Sequence, residues 1–387
     1  MDFELSEEHR MLKELVARFV RDELMPLEGK VLEREAKGEG AHLLKSECAR
    51  IDKKSSELGL WGLDAPAEFG GSDLPFEAMI GVNEEIGKTV TPYILPPDSP
   101  NLRMLMVTAN AEQRTAYLEP YARGEKVSAI AISEPNAGAD PASMITRAIK
   151  DGNHWVLNGR KIWISRAEHA DFTIVMAVTD KAKGARGGIS AFLVDKGTPG
   201  FNVLRRIPMI GGHITYEVAL EDCRLSASQL LGREGEGFAP MQVRLSTRRL
   251  FMAAWCIGIA QRALEMICEH APQRVTFGVP LSERQAVQWW VADAATKIHA
   301  ARLIAYDAAK KVDLGRDARV EISMAKVFAT EMAWEIVDHA MQTFGAMGMA
   351  KEMPLQFLAS KVRLMRIYDG PSEVHRWVIA RRLLGLR

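Results

Sequence analysis

Apolar positions along the chain recur first with a helical period, then at every second residue, then helically again almost to the end. Between residues 5 and 60 the pattern predicts helices. Leu12, Leu15, Val16 and Phe19 fall on one helical face, and Ser6 before Glu7 and Glu8 forms an N-cap with an acidic first turn. Ala65-Pro66-Ala67-Glu68-Phe69-Gly70-Gly71 punctuates a loop. More helix is expected from about Phe76 to Lys88 and from about Glu112 to Arg123. After Lys126 the texture changes. His154–Ser165 reads as two strands joined at Asn158-Gly159, the strongest short hairpin signal, and Phe172–Val178, Ile189–Val194 and Tyr216–Leu220 continue as short β-rich runs. From about Phe238 the helical period returns, with Gln285–Val312 and Glu321–Phe344 both long and carrying few breakers. The order is α, β, α. It predicts an α+β fold in which helices from both ends of the chain assemble around an inserted β domain, divided as residues 1–126, 127–238 and 239–387.

Charge narrows the function classes. Fifty basic and fifty acidic residues leave no electrostatic reason to expect nucleic acid or an anionic membrane as partner. No apolar run reads as long enough to span a bilayer, and the acidic N-terminus has the layout of neither a signal nor a transit peptide, so a cytoplasmic location is expected. Cys48, Cys223, Cys256 and Cys268 are far apart, with no histidine at metal-ligand spacing. They read as free thiols with no metal site, Cys256 and Cys268 buried in apolar helices.

Four stretches carry candidate chemistry, each with a plain structural alternative. The small residues of Ala131-Ile132-Ser133-Glu134-Pro135-Asn136-Ala137-Gly138-Ala139-Asp140 let backbone approach a ligand, or simply make a tight turn into the β domain. Trp163 packs a strand end or walls an aromatic cofactor. Arg274 beside Phe277-Gly278 holds a diphosphate, or is a surface arginine before a helix-capping glycine. Asp369, where helical text breaks at Asp-Gly-Pro, is a turn residue or a carboxylate presented as general base. His375 reads as a solvated helix-face histidine, since no nucleophile motif accompanies it. Neither a dinucleotide fingerprint nor a P-loop is present.

Taken together and in order, these stretches resemble the acyl-CoA dehydrogenase family. The resemblance rests on Leu58-Gly59-Leu60-Trp61-Gly62-Leu63 with Glu68-Phe69-Gly70-Gly71, and Ser133-Glu134-Pro135 with Ala137-Gly138 and Asp140. It continues through Gly159, Lys161 and Trp163-Ile164-Ser165, then Arg274 with Phe277-Gly278 and Gln285. Gln342 with Phe344-Gly345 and Gly348, and finally Ile367-Tyr368-Asp369-Gly370, complete a match over nearly the whole chain.

The resemblance implies an N-terminal helical domain, a middle β-barrel domain and a C-terminal four-helix bundle, with FAD bound between the last two in a homotetramer. It implies that Ile130, Ile132, Ser133, Gly138, Ala139, Trp163, Ile164 and Ser165 meet the isoalloxazine and ribityl chain. Arg274, Phe277, Leu281 and Gln285 hold the ADP half of a neighbouring subunit's FAD, and Gln342, Gly345 and Ala346 reach it across the interface. Ala139, Arg249, Tyr368 and Gly370 line the acyl-CoA substrate, and Asp369 removes its α proton while the β hydride goes to flavin N5. The implied electron acceptor is electron-transfer flavoprotein.

Three positions depart from the family pattern. Most members carry Glu followed by Gly-Thr at the catalytic turn, whereas this chain has Asp369-Gly370-Pro371. The aspartate reaches ~1.5 Å less far, one carbon–carbon step. A branch accepting long or branched acyl chains shares Asp-Gly-Pro, which favours a working base. Pro371 lacks the hydroxyl and N–H of the usual Thr, and Ser372 or Glu373 is expected to substitute toward FAD. Ala139 stands where Ser is common, and Arg166 where a small or amide residue is usual. The rival readings are a nitroalkane-oxidase-like or other flavin enzyme on the same scaffold, and a non-catalytic member that binds FAD or acyl-CoA.

Overall fold

The computed structural model describes residues 5–386. The N-terminal third is helical: α1 (Glu7–Phe19), α2 (Glu28–Ala36), α3 (Lys45–Glu57), α4 (Phe76–Gly87), α5 (Ser99–Thr108), α6 (Ala111–Gln113) and α7 (Glu119–Ala122). The Ser6 side chain accepts a hydrogen bond from the His9 N–H, as the cap signal predicted. The middle holds eight strands: β1 (Ser128–Ala131), β2 (Arg147–Asp151), β3 (His154–Ser165), β4 (Phe172–Val178), β5 (Ile189–Asp195), β6 (Phe201–Pro208), β7 (Ile214–Ser226) and β8 (Leu230–Leu231). They form one sheet in the order β6-β7-β3-β2-β4-β5-β8, with β1 beside β4. The path ends at β6 and β8, so hydrogen bonding does not close a ring. The C-terminal part comprises α8 (Phe238–His270), α9 (Gln285–Asp313), α10 (Arg319–Phe344), α11 (Ala346–Met349), α12 (Pro354–Met365) and α13 (Ser372–Leu383). A two-stranded ribbon, β9 (Val275–Thr276) with β10 (Val279–Pro280), joins α8 to α9.

Helices from the two ends share one core. Val16, Phe19, Ile80 and Val82 pack with Ile257, Ala260, Ala329 and Ile336. Where α4 crosses α8 the backbones nearly touch: a Cβ at Gly258 would lie 1.9 Å from the Glu84 carbonyl oxygen. Only glycine permits that approach. A second core, with Leu105, Tyr121, Phe172, Ile174 and Leu245, ties α5, α7 and α8 to one side of the sheet. The other side encloses Trp155, Phe192, Val218 and Leu220.

Three expectations are corrected. Asn158-Gly159 is no hairpin turn; it lies inside the single strand β3, and the turn to β2 is at Gly152-Asn153. A bulge there leaves the Asn158 side chain bonding Asp222 across the ladder, 2.9 Å from its N–H, and puts Thr146 Cα 2.7 Å from where a Gly159 Cβ would sit. The pair therefore serves a bulge and a close approach. Cys268 is exposed on α8, while Cys256 is buried. Finally, α8 is long and apolar enough to span a bilayer by composition, with mean hydropathy 1.4 over its best window. That window is 72% buried within the protein, as a core helix requires.

Candidate active site

The break between α12 and α13 builds the centre of the site. α12 ends with the Ile367 and Tyr368 N–H groups both donating to the Leu364 carbonyl, and the Ser372 N–H reaches back to Arg366 O at 3.1 Å. This closes a tight loop in which Asp369 takes φ +54°. Aspartate tolerates the left-handed region better than most residues, at a cost of about 1–2 kcal/mol. Asp369 is thus both turn residue and presented carboxylate.

Three side chains from α8 and α10 hold this loop. Arg244 Nη1 donates to Asp369 Oδ1 at 2.6 Å and its Nε to Asn101 Oδ1 at 3.2 Å. Arg249 Nε donates to the Asp369 carbonyl at 2.8 Å, and buried Lys326 Nζ to the Gly370 carbonyl at 2.7 Å. The Asp369 N–H donates to no acceptor among the described residues. It is free for an anionic oxygen.

His375 corrects the sequence reading. It is 1% exposed, with Nδ1 3.2 Å from Ser323 Oγ and Nε2 3.3 Å from the Asp369 carbonyl. Burial, with Arg249 and Lys326 nearby, pushes it down to about 3, so the ring is neutral at physiological pH. It supports the loop from beneath. Burial also pushes Lys326 down to about 8.

The sheet brings its rim to this loop. His213, in the turn before β7, stacks on Tyr368 with ring centroids 6.5 Å apart and also meets Ser165 Oγ at 3.2 Å. Between Lys161 and Ile164 strand β3 carries one residue more than β7. The bulge puts Trp163 at φ +64° and leaves it 50% exposed, with Ser165 also exposed. Ile164 alternates inward at 3% exposure, so that its backbone and not its side chain borders the rim. Ile130, Ile132 and Ser133 are half-buried, and Gly138 and Ala139 exposed, along the neighbouring edge. Lys161, wholly buried, clamps that edge: its Nζ donates to Ile132 O at 3.0 Å and to Glu134 at 2.8 Å.

Other candidates lie apart from this centre. Arg274 and Phe277 sit on the β9–β10 ribbon, where Gly278 turns a hairpin instead of capping a helix. Phe277 is 99% exposed, its carbonyl neighbour Thr276 pinned by Arg284 at 2.7 Å. Leu281 is half-buried, and Gln285, Gln342, Gly345, Ala346 and Glu373 are exposed. Ser372 is buried at 2%, with its hydroxyl closed to solvent beside Glu331, so it offers FAD nothing in this conformation.

Sequence reasoning missed a second cluster. Arg248 Nη2 donates to Asp98 Oδ1 at 2.5 Å, and Arg166 Nη1 lies 3.3 Å from Asp98 Oδ2. Arg244 and Arg248 are one helical turn apart on α8, a visible i, i+4 pair of charges in a helix whose neighbours are apolar. That anomaly was the available signal.

The arrangement suits proton abstraction beside a flat cofactor. An exposed indole face, rim hydroxyls from Ser133 and Ser165 and small residues at Gly138 and Ala139 fit an isoalloxazine and its polyol chain. Comparison with known proteins gives the family. Residues 6–125, 129–223 and 235–384 match the N-terminal, middle and C-terminal domain models of acyl-CoA dehydrogenase. The chain is 41% identical to (R)-benzylsuccinyl-CoA dehydrogenase of Thauera aromatica, over 99% of this chain and 97% of that one. It is 36% identical to the NADH-dependent acryloyl-CoA reductase of Anaerotignum propionicum, over 99% and 96%. The solved butyryl-CoA dehydrogenase of Megasphaera elsdenii superposes with a TM-score of 0.89 at 32% identity, covering 99% of this chain and 100% of that chain. The fold and site define a flavin-dependent oxidoreductase. The chain belongs to the acyl-CoA dehydrogenase family, whose members depend on FAD.

Proposed function

We propose that the protein catalyses α,β-dehydrogenation of an acyl-CoA thioester to a trans-2-enoyl-CoA, with Asp369 as the base. The observation that carries this reading is the Asp369 carboxylate, held by Arg244 on a left-handed turn, with its own N–H unpaired beside it. An α proton leaves only if charge gathering on the thioester oxygen is stabilised, and a preorganised N–H does this. Asp369 would take the proton while its N–H, and a hydroxyl of the bound flavin's ribityl chain, hold the oxygen. FAD, when bound, supplies the acceptor for the β hydride.

Ile130, Ile132, Ser133, Gly138, Ala139, Trp163 and Ser165 would hold the flavin end, with Ile164 contributing backbone only. Arg274, Phe277, Leu281, Gln285, Gln342, Gly345 and Ala346 would serve a neighbouring protomer's FAD in a homotetramer, with Glu373 left as the polar substitute near Pro371. A phenylalanine ring almost wholly in water on a pinned ribbon supports such docking. Tyr368, Gly370 and Arg249 would shape the acyl site through the catalytic loop. Electron-transfer flavoprotein is the proposed acceptor.

The test is the visible flavin spectrum under anaerobic addition of a panel of acyl-CoAs. Bleaching by thioesters supports the reading. A flavin indifferent to every thioester but reduced by a nitroalkane would replace it with an oxidase.

A further inference from the structure

His213 stands between the two halves of the site. It is exposed at the rim, with Nε2 3.2 Å from Ser165 Oγ, and its ring lies within 18° of parallel to that of Tyr368. The imidazole thus joins the end of β3 to the residue that precedes Asp369.

The backbone holds it there rigidly. The His213 carbonyl accepts from the Met209 N–H at 2.8 Å and closes the turn between β6 and β7. Gly211 and Gly212 in that turn take φ of +64° and +65°. A Cβ on Gly212 would lie 2.2 Å from the Ala41 Cβ, and one on Gly211 3.1 Å from the Lys361 nitrogen. The turn is therefore wedged between the chain before α3 and helix α12, and a side chain at Gly212 would push it out. A turn free in solvent needs no such fit.

The ring is also held neutral. Burial among its neighbours, and then the charges of Arg166, Arg248 and Lys361, keep it below the usual histidine range. Those cations come from three directions: the turn after β3, α8 and α12. The Tyr368 phenol is kept protonated, above its usual range, by burial and by Asp369. A neutral imidazole keeps one bare nitrogen that can accept, whereas the imidazolium has only donors. A serine hydroxyl has one proton and two lone pairs, and its proton rotates to suit its partners. With Nε2 accepting that proton, the Ser165 oxygen turns its lone pairs to the open rim.

We propose that His213 acts through Ser165 to set the redox balance of the bound flavin, fixing the hydroxyl as an acceptor and so favouring the reduced form, whose ring nitrogens carry protons. Hydrogen bonds to those nitrogens are a means by which a protein tunes such a cofactor. This rests on the flavin contact assigned to Ser165 under the reading above. His213 is a positioning residue; it takes no proton from the substrate.

The experiment measures the two-electron midpoint potential of the FAD-loaded protein against a reference dye, with no thioester present. Losing one neutral hydrogen bond should lower the equilibrium constant for flavin reduction about fivefold in His213→Leu. That is a potential more negative by about 20 mV. His213→Gln, whose amide oxygen still accepts, should recover most of the shift. In a Ser165→Ala background, His213→Leu should change nothing further. His213→Asn, too short to reach Ser165, repeats the test if His213→Leu does not fold. An unchanged potential overturns the proposal, and so does an equal shift in the Ser165→Ala background. Failure of the dehydrogenase reading looks different: thioesters leave the flavin unbleached while the potentials still shift as expected. A protein that takes up no FAD removes both.

Discussion

Asp369 stands where the family pattern expects glutamate, and the structure gives a reason that a double-mutant cycle can test. Its Oδ1 already lies 2.6 Å from Arg244 Nη1. Asp369→Glu advances the carboxylate ~1.5 Å, one carbon–carbon step. The gap cannot accept that, so the longer side chain must fold aside or displace Arg244, itself anchored on Asn101 at 3.2 Å. A misplacement near 1 Å costs about 100-fold in rate, so Asp369→Glu should slow flavin reduction by about that factor. Arg244→Gln alone removes a charge-assisted hydrogen bond worth about 1.5–3 kcal/mol, which corresponds to a loss of about 10–150-fold. The double variant is the informative one. With Arg244 shortened, the glutamate regains its room, and reduction should be at least about tenfold faster than in Asp369→Glu alone, a coupling of about 1.4 kcal/mol. The assay is anaerobic single-turnover bleaching of the flavin, with flavin content and circular dichroism measured for each variant. If the two losses simply multiply in the double variant, Arg244 is not what sets the length of the base.

Three other consequences are open to measurement. Lys161→Met strands the buried Glu134 carboxylate, 3% exposed, and should cost about 3–5 kcal/mol in urea unfolding, with Glu134→Gln added to it restoring most of the loss; a cost below about 1 kcal/mol counts against the clamp. Lys161, Lys326 and Lys361 are each pushed by burial from 10.5 down to about 8, so above that pH the folded chain gives up protons that the unfolded chain keeps. Stability should accordingly rise between about pH 8 and 9. It should then level off, because burial holds Cys223 up at about 11 and Cys256 at about 12, and unfolding exposes thiols that ionise near 9.0. Urea midpoints that fall across the first window would contradict this. Phe277→Ser removes only an exposed contact with the Arg284 guanidinium, 6.0 Å from the ring centroid, so the unfolding free energy should change by less than about 1 kcal/mol. If the ribbon docks on a second protomer's FAD, the same substitution should lower flavin content and shift sedimentation toward smaller species, whereas unchanged values for both would remove Phe277 from any interface.

What was legible in the sequence follows from what is local. Strand Phe172–Val178 matches to the residue and helix Gln285–Val312 to within one, because their breakers and periods sit in adjacent letters. The Asn158-Gly159 dipeptide misled because its role depends on Asp222 and Thr146, distant in the chain. His375 was misread for the same reason: α13 has almost no one-sided apolar pattern, so nothing in its own letters tells that Ser323 and the Asp369 carbonyl close over the ring. Arg244 and Arg248 were overlooked because one arginine in a long helix is ordinary. Two, a turn apart among buried Met241, Leu245 and Met252, are not. A guanidinium in such surroundings must meet an anion, since burying it alone costs far more than an ion pair returns. The chain's own carboxylates meet that need only by halves, Asp369 for Arg244 and one shared Asp98 for Arg248 and Arg166. Buried charge that the protein leaves under-matched beside Asp369 is therefore the part of the site least visible in the sequence.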